Sequence, residues 1–250
     1  MSTPEFEPFR VTKISATETP QRVIYSALYS ETNNHFLEDI ETDQNYFDDR
    51  KSGSLVVEHY RSLSQRDPGW GDYSCLDHAY LTLQIKADHL TLSQLTKENE
   101  FNINLQSLSS AGDAIRKSKD NNEPLESIFY SRREGNYPDH HGHRQPWSSA
   151  DRENHLAISN SAAMDYDHQR NRGISETMAQ QFLTVNIMQR ATMTGSLRSW
   201  LNLLDYNSRL CHPYEMRNVM GLIQKHVHDW SPDIYQWWSN TFRCRLEVAL

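Results

Sequence analysis

The stretch from residue 189 to residue 219 constrains the fold most, because it carries two apolar stripes separated by a short polar connection. The first stripe has apolar residues at steps of three and four, which predicts one buried face of a helix. Its members are Met193, Leu197, Trp200, Leu201 and Leu204. Arg198, Asn202 and Asp205 fall on a flank of that helix, where they could reach a ligand. The simpler alternative to a ligand site is a helical hairpin whose charged residues are only solvated.

A second helix is predicted to begin at Pro213, because proline has a helical φ and lacks an N–H that the first turn would leave without a partner. Its apolar stripe comprises Met216, Val219, Met220, Ile223 and Val227. Upstream, the patterns predict an edge strand over 9–14, helices from residue 20 and over 54–63, and a strand over 79–85. They also predict a helix capped by Ser148 or Ser149 that closes at Gly173. The acidic segment 38–49 is expected to be a solvated loop.

Length and charge limit the possible classes of protein. A chain of 250 residues is long enough for one sizeable domain, so residues 1–250 are predicted to form a single unit. The formal net charge of -8 argues against a nucleic-acid partner, since such binding depends on clustered Lys and Arg. The sequence has neither an apolar run of about eighteen residues nor a start typical of a signal peptide, so no membrane partner and a cytoplasmic location are expected.

Cysteine and histidine residues suggest two further kinds of chemistry. The three cysteines are scattered and are interpreted as free thiols: Cys75, Cys211 and Cys244. Cys211 beside His212 could be a nucleophile with its base, although adjacent side chains rarely point at one another. The cluster Asp139, His140, His141 and His143 could hold a divalent metal, but a hairpin tip is the alternative, and no metal site is assigned.

The sequence TGSLRSWLNLL at residues 194–204, followed by E-x-R at Glu215 and Arg217, resembles the C-terminal signature of the flavin-dependent thymidylate synthases, the ThyX family. The resemblance covers roughly residues 9–240, and the start of the chain is similar to cyanobacterial and cyanophage members. Residues 126–142 resemble a strand pair of the same members, with the G-x-Y-x-D pattern at Gly135, Tyr137 and Asp139, so a strand pair near residue 135 is expected. It implies an α+β fold with a twisted antiparallel sheet and a helical layer, assembled as a homotetramer. It also implies FAD as cofactor, NADPH and methylenetetrahydrofolate as co-substrates, and a pyrimidine deoxynucleotide as substrate.

Family members have a loop of pattern R-H-R-x-x-S-x-N-x-x-S-x-R that wraps the flavin and the nucleotide phosphate, and it corresponds here to residues 97–109. By resemblance, the flavin-binding residues are His78, Lys97, Asn99, Asn104, Ser196, Arg198 and Asn202, and the substrate-binding residues are Gln94, Ser107, Ser109 and Gln180. The family's catalytic arginine falls on Asn207, with Arg209 two residues later as the alternative. As a single histidine before a strand, His78 is equally compatible with a structural role.

The chain departs from the family pattern where positive charge is expected. Glu98, Asn99, Ser109, Gln180 and Asn207 replace charged groups that would contact nucleotide or flavin. Each lost charged hydrogen bond costs on the order of 1.5–3 kcal/mol of binding free energy. Three hypotheses follow: a flavin-dependent enzyme that methylates or hydroxymethylates C5 of dUMP or a variant such as dCMP, a catalytically inactive paralogue with a binding or regulatory role, and a metal protein built on the histidine hairpin.

Overall fold

A four-stranded antiparallel sheet with the strand order β1-β2-β6-β3 organises the chain, and a separate two-stranded sheet pairs β4 with β5. The computed structural model describes residues 8–42, 46–66, 72–121, 127–138, 143–207 and 212–243. The strands are β1 Arg10–Ala16, β2 Tyr80–Asp88, β3 Asn102–Leu105, β4 Gly135–Pro138, β5 Arg144–Trp147 and β6 Met188–Ser196. The fold is therefore α+β, as predicted.

Ten α-helices lie in the described residues: α1 Pro20–Thr32, α2 Leu37–Ile40, α3 Asp49–Arg66, α4 His89–Leu95, α5 Leu108–Asn121, α6 Ser149–Asn171, α7 Glu176–Ala179, α8 Leu197–Asn207, α9 Tyr214–Trp230 and α10 Pro232–Trp238. Short 3₁₀ helices cover Ser74–His78 and Gln180–Phe182, and a π-helical turn covers Ser239–Arg243. No helix in this part of the chain has the length and apolar character needed to span a membrane.

Alternation of side chains gives the sheet one buried and one open face. In β2, Leu81, Leu83 and Ile85 are fully buried, whereas Tyr80 and Gln84 are exposed. Helices α8 and α9 pack on the buried face, where the Trp200 indole N–H donates to the Leu81 carbonyl at 3.1 Å. The opposite face carries polar residues, so one face of the sheet remains open in a single chain.

Most of the predicted elements are confirmed. The edge strand is β1, the helix from residue 20 is α1, and the strand pair near residue 135 is the β4-β5 sheet. Helix α6 begins as expected, with the Ser148 hydroxyl and the Asp151 carboxylate forming a reciprocal cap. Gly173 closes this helix with a φ of 80°, a conformation that few other residues adopt. Helix α3 starts five residues before the predicted Ser54, at Asp49.

The predicted helix starting near Met193 is wrong at its beginning. Met193 belongs to β6, which pairs with β2 along its whole length, and α8 begins only at Leu197. The apolar spacing from Met193 to Leu197 mimics a helical step, but strand pairing decides the conformation. The rest of that face is buried as predicted. Helix α9 begins at Tyr214 with Pro213 as its N-cap, and the predicted apolar stripe lies in the core.

The acidic segment 38–49 is only partly a loop. Residues 43–45 lie outside the described residues, while α2 occupies Leu37–Ile40. Glu41 accepts two hydrogen bonds from the Arg22 guanidinium, and its side chain is largely buried. This carboxylate fastens the segment to α1 instead of standing free in solvent. Cys75 is a buried free thiol, and Cys211 and Cys244 lie outside the described residues.

Candidate active site

The two ends of the four-stranded sheet carry different sets of polar side chains. At one end, β2 finishes at Asp88 and β6 begins at Met188, and we call this the cavity end. At the other, β2 begins at Tyr80 and β6 finishes at Ser196, and we call this the open end. Because β2 contains nine residues, the ends are about 26 Å apart. No single nucleotide ring can contact both ends within one chain.

The cavity end encloses a volume of about 280 Å³. Its walls come from α4, the segment before β4, the end of β5, α6, the segment before β6 and the start of α9. The lining residues are Asp88, Leu90, Thr91, Gln94, Tyr130, Arg132, Trp147, His155, Val185, Asn186, Pro213 and Glu215. The size is slightly below that of pockets for drug-sized molecules and is compatible with a single heterocycle and its sugar.

A bidentate ion pair braces one wall of the cavity. Arg132 donates from Nε and Nη2 to the two oxygens of Glu215 at 2.6 and 3.0 Å, and the Tyr130 hydroxyl donates to the same carboxylate at 3.2 Å. The guanidinium also lies over the Tyr137 ring, 5.0 Å from its centroid. Within the described residues, Nη1 of Arg132 has no hydrogen-bond partner. Arg132 therefore keeps a fixed orientation, and its terminal nitrogen Nη1 remains available to donate.

The pKa of Glu215 reflects opposing causes. Burial favours its neutral form, but the hydrogen bonds and charge of Arg132 outweigh burial and lower the pKa below its ordinary value. Glu215 is thus ionised at neutral pH and compensates Arg132. The neighbouring Asp88 shows the opposite result, because its burial raises the pKa even though Thr91 donates two hydrogen bonds to the carboxylate. Within the cavity, the charges of Arg132 and Glu215 therefore compensate each other.

His155 is the imidazole of this cavity. Its Nδ1 lies 3.0 Å from the Ser131 hydroxyl oxygen, and its ring meets Trp147 edge to face, with centroids 5.9 Å apart. Burial, followed by the positive charge of Arg132, lowers the pKa of His155, so the imidazole is neutral at pH 7. In the tautomer whose Nδ1–H donates to the Ser131 hydroxyl, Nε2 is unprotonated and can accept a proton.

Asn186 connects the segments that form the cavity. Its side-chain nitrogen donates to the Tyr130 carbonyl at 2.8 Å and to the Ser159 hydroxyl at 2.9 Å, and the Tyr130 N–H donates to the Asn186 carbonyl. These bonds fix the segment that carries Arg132 against β6 and α6. Gln94, by contrast, has no hydrogen-bond partner for its amide among the described residues, although it lines the cavity.

At the open end, three polar side chains each bond to a carboxylate, and two of them, Arg198 and Asn202, are solvent-exposed. The Ser196 hydroxyl donates to Asp77 at 2.6 Å, and Arg198 lies 3.2 Å from the other oxygen of Asp77. Asn202 donates to Glu100 at 3.4 Å. The Arg198 side chain is 46% exposed, so this cluster faces outward from a single chain.

Comparison with known proteins decides the family. A profile described as thymidylate synthase complementing protein matches residues 13–233. The chain belongs to this family, the flavin-dependent thymidylate synthases. No curated protein sequence matches the chain.

Solved structures share the fold of this ThyX family member at low sequence identity. One is a UMP/dUMP methylase PolB from Streptomyces cacaoi bound with 5-Br UMP, with a TM-score of 0.66 and 14% identity over 94% of this chain and 95% of that one. The same methylase bound with 5-Br dUMP gives a TM-score of 0.69 and 16% identity over 94% and 96% of the two chains. The expected α+β ThyX-like fold is thereby confirmed.

The structure divides the ThyX site residues predicted from the sequence between the two ends. Gln94 lines the cavity, whereas Ser196, Arg198 and Asn202 cluster at the open end. His78 lines a separate groove beside α1. Lys97 and Asn99 are exposed in the turn between α4 and β3, and Asn104 is exposed in β3. All of these assignments stay predictions.

The other predicted ThyX site residues do not join either cluster through the contacts described. Ser107 lies 3.2 Å from Ser110 at the start of α5, where Ser109 also falls, and Gln180 donates to Glu176 at 3.3 Å. Asn207 ends α8, and Arg209 lies outside the described residues. The proposed histidine hairpin tip, residues 139–142, is outside them as well.

Sequence reasoning missed Arg132, Trp147, His155 and Asn186. These residues come from separate segments and share no spacing that would mark them as a group. Among the cavity residues, Gln94 and Glu215 did carry a signal, Gln94 through its place before the flavin-binding loop and Glu215 through the E-x-R of the ThyX signature.

The donors of the open end fit the uncharged polar groups of a flavin, because Asn202 presents an amide there and Ser196 a hydroxyl. Its charge balance is less suited to a diphosphate. Arg198 is paired with Asp77, and Glu98 and Glu100 lie close in sequence to Lys97. The open end of a single chain therefore offers little positive charge for flavin phosphates.

Proposed function

We propose that this chain is a flavin-dependent enzyme that transfers a one-carbon unit to C5 of a pyrimidine deoxynucleotide, either dUMP or a variant such as dCMP, by methylation or hydroxymethylation. Family membership supports the chemistry, and the methylase with the same fold is described as acting on UMP and dUMP. The observation that carries the proposal is the cavity, where Gln94 presents an amide without a partner beside a fixed guanidinium.

The cavity residues supply recognition and polarisation. The Gln94 amide has one donor and one acceptor edge, which complements the adjacent N–H and C=O of a uracil ring. The available Nη1 of Arg132 donates to a ring carbonyl and draws electron density from it as C5 reacts. Glu215 holds the guanidinium in this orientation and prevents it from turning to solvent.

His155 handles the proton in this proposal. Replacement of the hydrogen on C5 by a carbon substituent releases a proton, and a neutral imidazole in the cavity can accept it. The Ser131 hydroxyl orients the ring by accepting from Nδ1–H, which leaves the unprotonated Nε2 for the substrate. When bound, FAD supplies electrons and carries the one-carbon unit, with methylenetetrahydrofolate as its source and NADPH as reductant.

A homotetramer is the assembly that we propose. The open-end flavin candidates Ser196, Arg198 and Asn202 lie at the opposite end of the sheet from the cavity, and the two ends are about 26 Å apart in one chain. The open face of the sheet and the exposed cluster at Arg198 are available to a second copy. Contact between the open end of one copy and the cavity end of another would bring the two sets together, and light scattering of the purified protein measures the copy number.

Spectroscopy and turnover test the function. Purified protein is expected to take up FAD, to change its flavin spectrum when dUMP is added, and to oxidise NADPH in the presence of methylenetetrahydrofolate. Mass spectrometry of dUMP, UMP and dCMP incubations identifies the substrate and the added group.

Gln94→Ala should weaken nucleotide binding about 10-fold. The matched control is Gln236→Ala in α10, where the side chain is exposed.

Two outcomes would contradict the proposal. A colourless protein that cannot be loaded with FAD would exclude the flavin-dependent reaction and leave a binding or regulatory subunit. Equal nucleotide affinity in wild type and Gln94→Ala would exclude Gln94 as a substrate residue, even if the protein remained active.

A further inference from the structure

A circuit of hydrogen bonds includes His155, and the Asn186 side chain joins its two halves. The Asn186 amide nitrogen donates to the Tyr130 carbonyl at 2.8 Å and to the Ser159 hydroxyl at 2.9 Å. The Ser159 hydroxyl donates in turn to the His155 carbonyl at 3.0 Å. Ser131, which follows Tyr130, lies 3.0 Å from Nδ1 of the His155 ring and closes the circuit. One amide thus holds both the helix turn that carries the imidazole and the segment that carries its hydroxyl partner.

Most of the circuit is withdrawn from water. Asn186 is 7% exposed, and Ser159, Ser131 and Tyr130 are buried as well. Hydrogen bonds in such low-dielectric surroundings are electrostatically stronger than in water, and linked bonds polarise one another. Water therefore competes poorly for the two donors of Asn186, and their acceptors keep fixed positions.

The neighbours of the Asn186 amide determine its orientation. The Tyr130 carbonyl can only accept, so the nitrogen of the amide faces it and the oxygen does not. Oδ1 is consequently left buried without a hydrogen-bond partner among the described residues. A buried amide with an unsatisfied oxygen contributes less stability than a fully bonded one. The contribution of Asn186 therefore lies in what its two donors hold in place.

The backbone around Asn186 is docked independently of this side chain. The Tyr130 N–H donates to the Asn186 carbonyl at 2.8 Å, and the Met188 N–H donates to the Ile128 carbonyl at 2.7 Å. Truncation of the Asn186 side chain leaves both of these bonds in place. It should therefore loosen the imidazole without releasing the segment before β4 from the start of β6.

We infer that Asn186 is a positioning residue for the proposed reaction, because it fixes the His155 imidazole and the Ser131 hydroxyl relative to each other and so sets how the imidazole meets the substrate. The link to turnover rests on the proposed function, whereas the fixed ring rests on the circuit alone. Arg132 depends less on this amide, because Glu215 holds it through two bonds of its own. Loss of the Asn186 amide should therefore slow turnover more than it weakens nucleotide binding.

Steady-state kinetics separates positioning from binding. Asn186→Ala should lower kcat about 10- to 100-fold, since a misplacement of about 1 Å at a reacting group can cost up to about 100-fold. KM should change less than about 3-fold, because the contacts to the nucleotide remain. Ser159→Ala removes only the link to the His155 turn, so it should lower kcat by a smaller factor and leave KM unchanged. Asn154→Ala is the matched control, because this asparagine is exposed on the same helix, α6.

NMR titration of His155 tests the circuit without any substrate. Burial and the positive charge of Arg132 lower the pKa of the wild-type imidazole. A loosened ring admits water, so this pKa should rise toward its ordinary value in Asn186→Ala and, by less, in Ser159→Ala. In Asn154→Ala the imidazole should titrate as in wild type. The titratable and charged groups near the ring are Asp88, Tyr130, Arg132 and Glu215 in the cavity, and Asp151 and Arg152 one turn earlier on α6.

The inference is overturned if both folded variants keep the wild-type pKa of His155, or if kcat falls only in proportion to the unfolded fraction measured by circular dichroism. A raised pKa in both variants, together with a wild type that converts no nucleotide, would support the positioning role and refute the proposed function. A wild type that converts dUMP, together with variants of unchanged kcat and unchanged pKa, would do the reverse.

Discussion

The cavity end and the open end of the sheet differ in how their charges are held. At the cavity end, Arg132 and Glu215 form a bidentate pair that is mostly buried, and Tyr130 and Tyr137 restrain it further. At the open end, Arg198 and Asp77 meet singly, with both side chains close to half exposed. A buried pair is costly to break, whereas an exposed pair contributes little stability and remains free to exchange partners. The first end suits a rigid recognition site, and the second suits a surface completed by another molecule.

The largest effect is expected from Glu215→Gln. The amide cannot compensate Arg132, so the variant should lose about 3 kcal/mol of unfolding free energy and most of its nucleotide affinity. Urea denaturation and nucleotide titration measure the two losses. Glu153→Gln, on the exposed side of α6, is the matched control and should resemble wild type.

A double variant, Arg132→Met with Glu215→Leu, separates stability from recognition. Replacing both partners with apolar groups should restore much of the stability but not the nucleotide binding. If Glu215→Gln proves as stable as wild type, the buried ion pair does not make the cavity end more rigid than the open end, and the contrast between the two ends is refuted.

Gly195→Ala tests whether the backbone beneath the open-end cluster is tightly packed. A Cβ at Gly195 would lie 2.5 Å from a Phe101 ring carbon, and Phe101 meets Trp200 edge to face with centroids 4.6 Å apart. The overpacking should cost about 1–3 kcal/mol of unfolding free energy, measured by denaturant titration. Gly221→Ala is the control, since nothing lies within 4 Å of its added Cβ, and it should be neutral or stabilising. Equal changes in unfolding free energy for the two variants would argue against tight packing around Gly195.

Stability should depend on pH through His155, which lies at the cavity end of the sheet. Its pKa is below the ordinary value, so the unfolded state binds more protons as pH falls. The stability that neutral His155 contributes is complete above about pH 6.5 and is lost as pH falls through the folded-state pKa. His155→Gln should therefore lose less stability on acidification than wild type, as thermal unfolding from pH 8 to pH 5 would reveal. His35→Gln, an exposed histidine, serves for comparison, and identical slopes for both variants would refute the assignment.

The smallest effect on stability is expected from Arg198→Gln. Its ion pair with Asp77 is exposed, so the unfolding free energy should change by less than about 0.5 kcal/mol. Retention of FAD should nevertheless fall, because this side chain is a predicted flavin contact. Arg172→Gln at the end of α6 is the charge-matched control. Unchanged FAD retention in Arg198→Gln would remove this residue from the proposed flavin site.

The sequence and the structure contributed different parts of this site. Local patterns predicted the cap at Ser148, the alternation in β2 and the buried face around Trp200, because each depends on neighbouring residues only. Resemblance to the family located the exposed cluster at Ser196, since that cluster lies within one contiguous motif. Residues such as Arg132 carried no comparable signal.

The amino-acid sequence by itself determined the helices with an apolar stripe, most strands and the family of the protein, because periodicity and motif are properties of a continuous segment. Only the tertiary structure decided that Met193 belongs to a strand, since that depends on pairing with β2. It alone brought Arg132 to Glu215, 83 residues later, and joined Asn186 to Tyr130 and Ser159. Contacts between distant segments follow from how helices and strands pack, which no local pattern encodes.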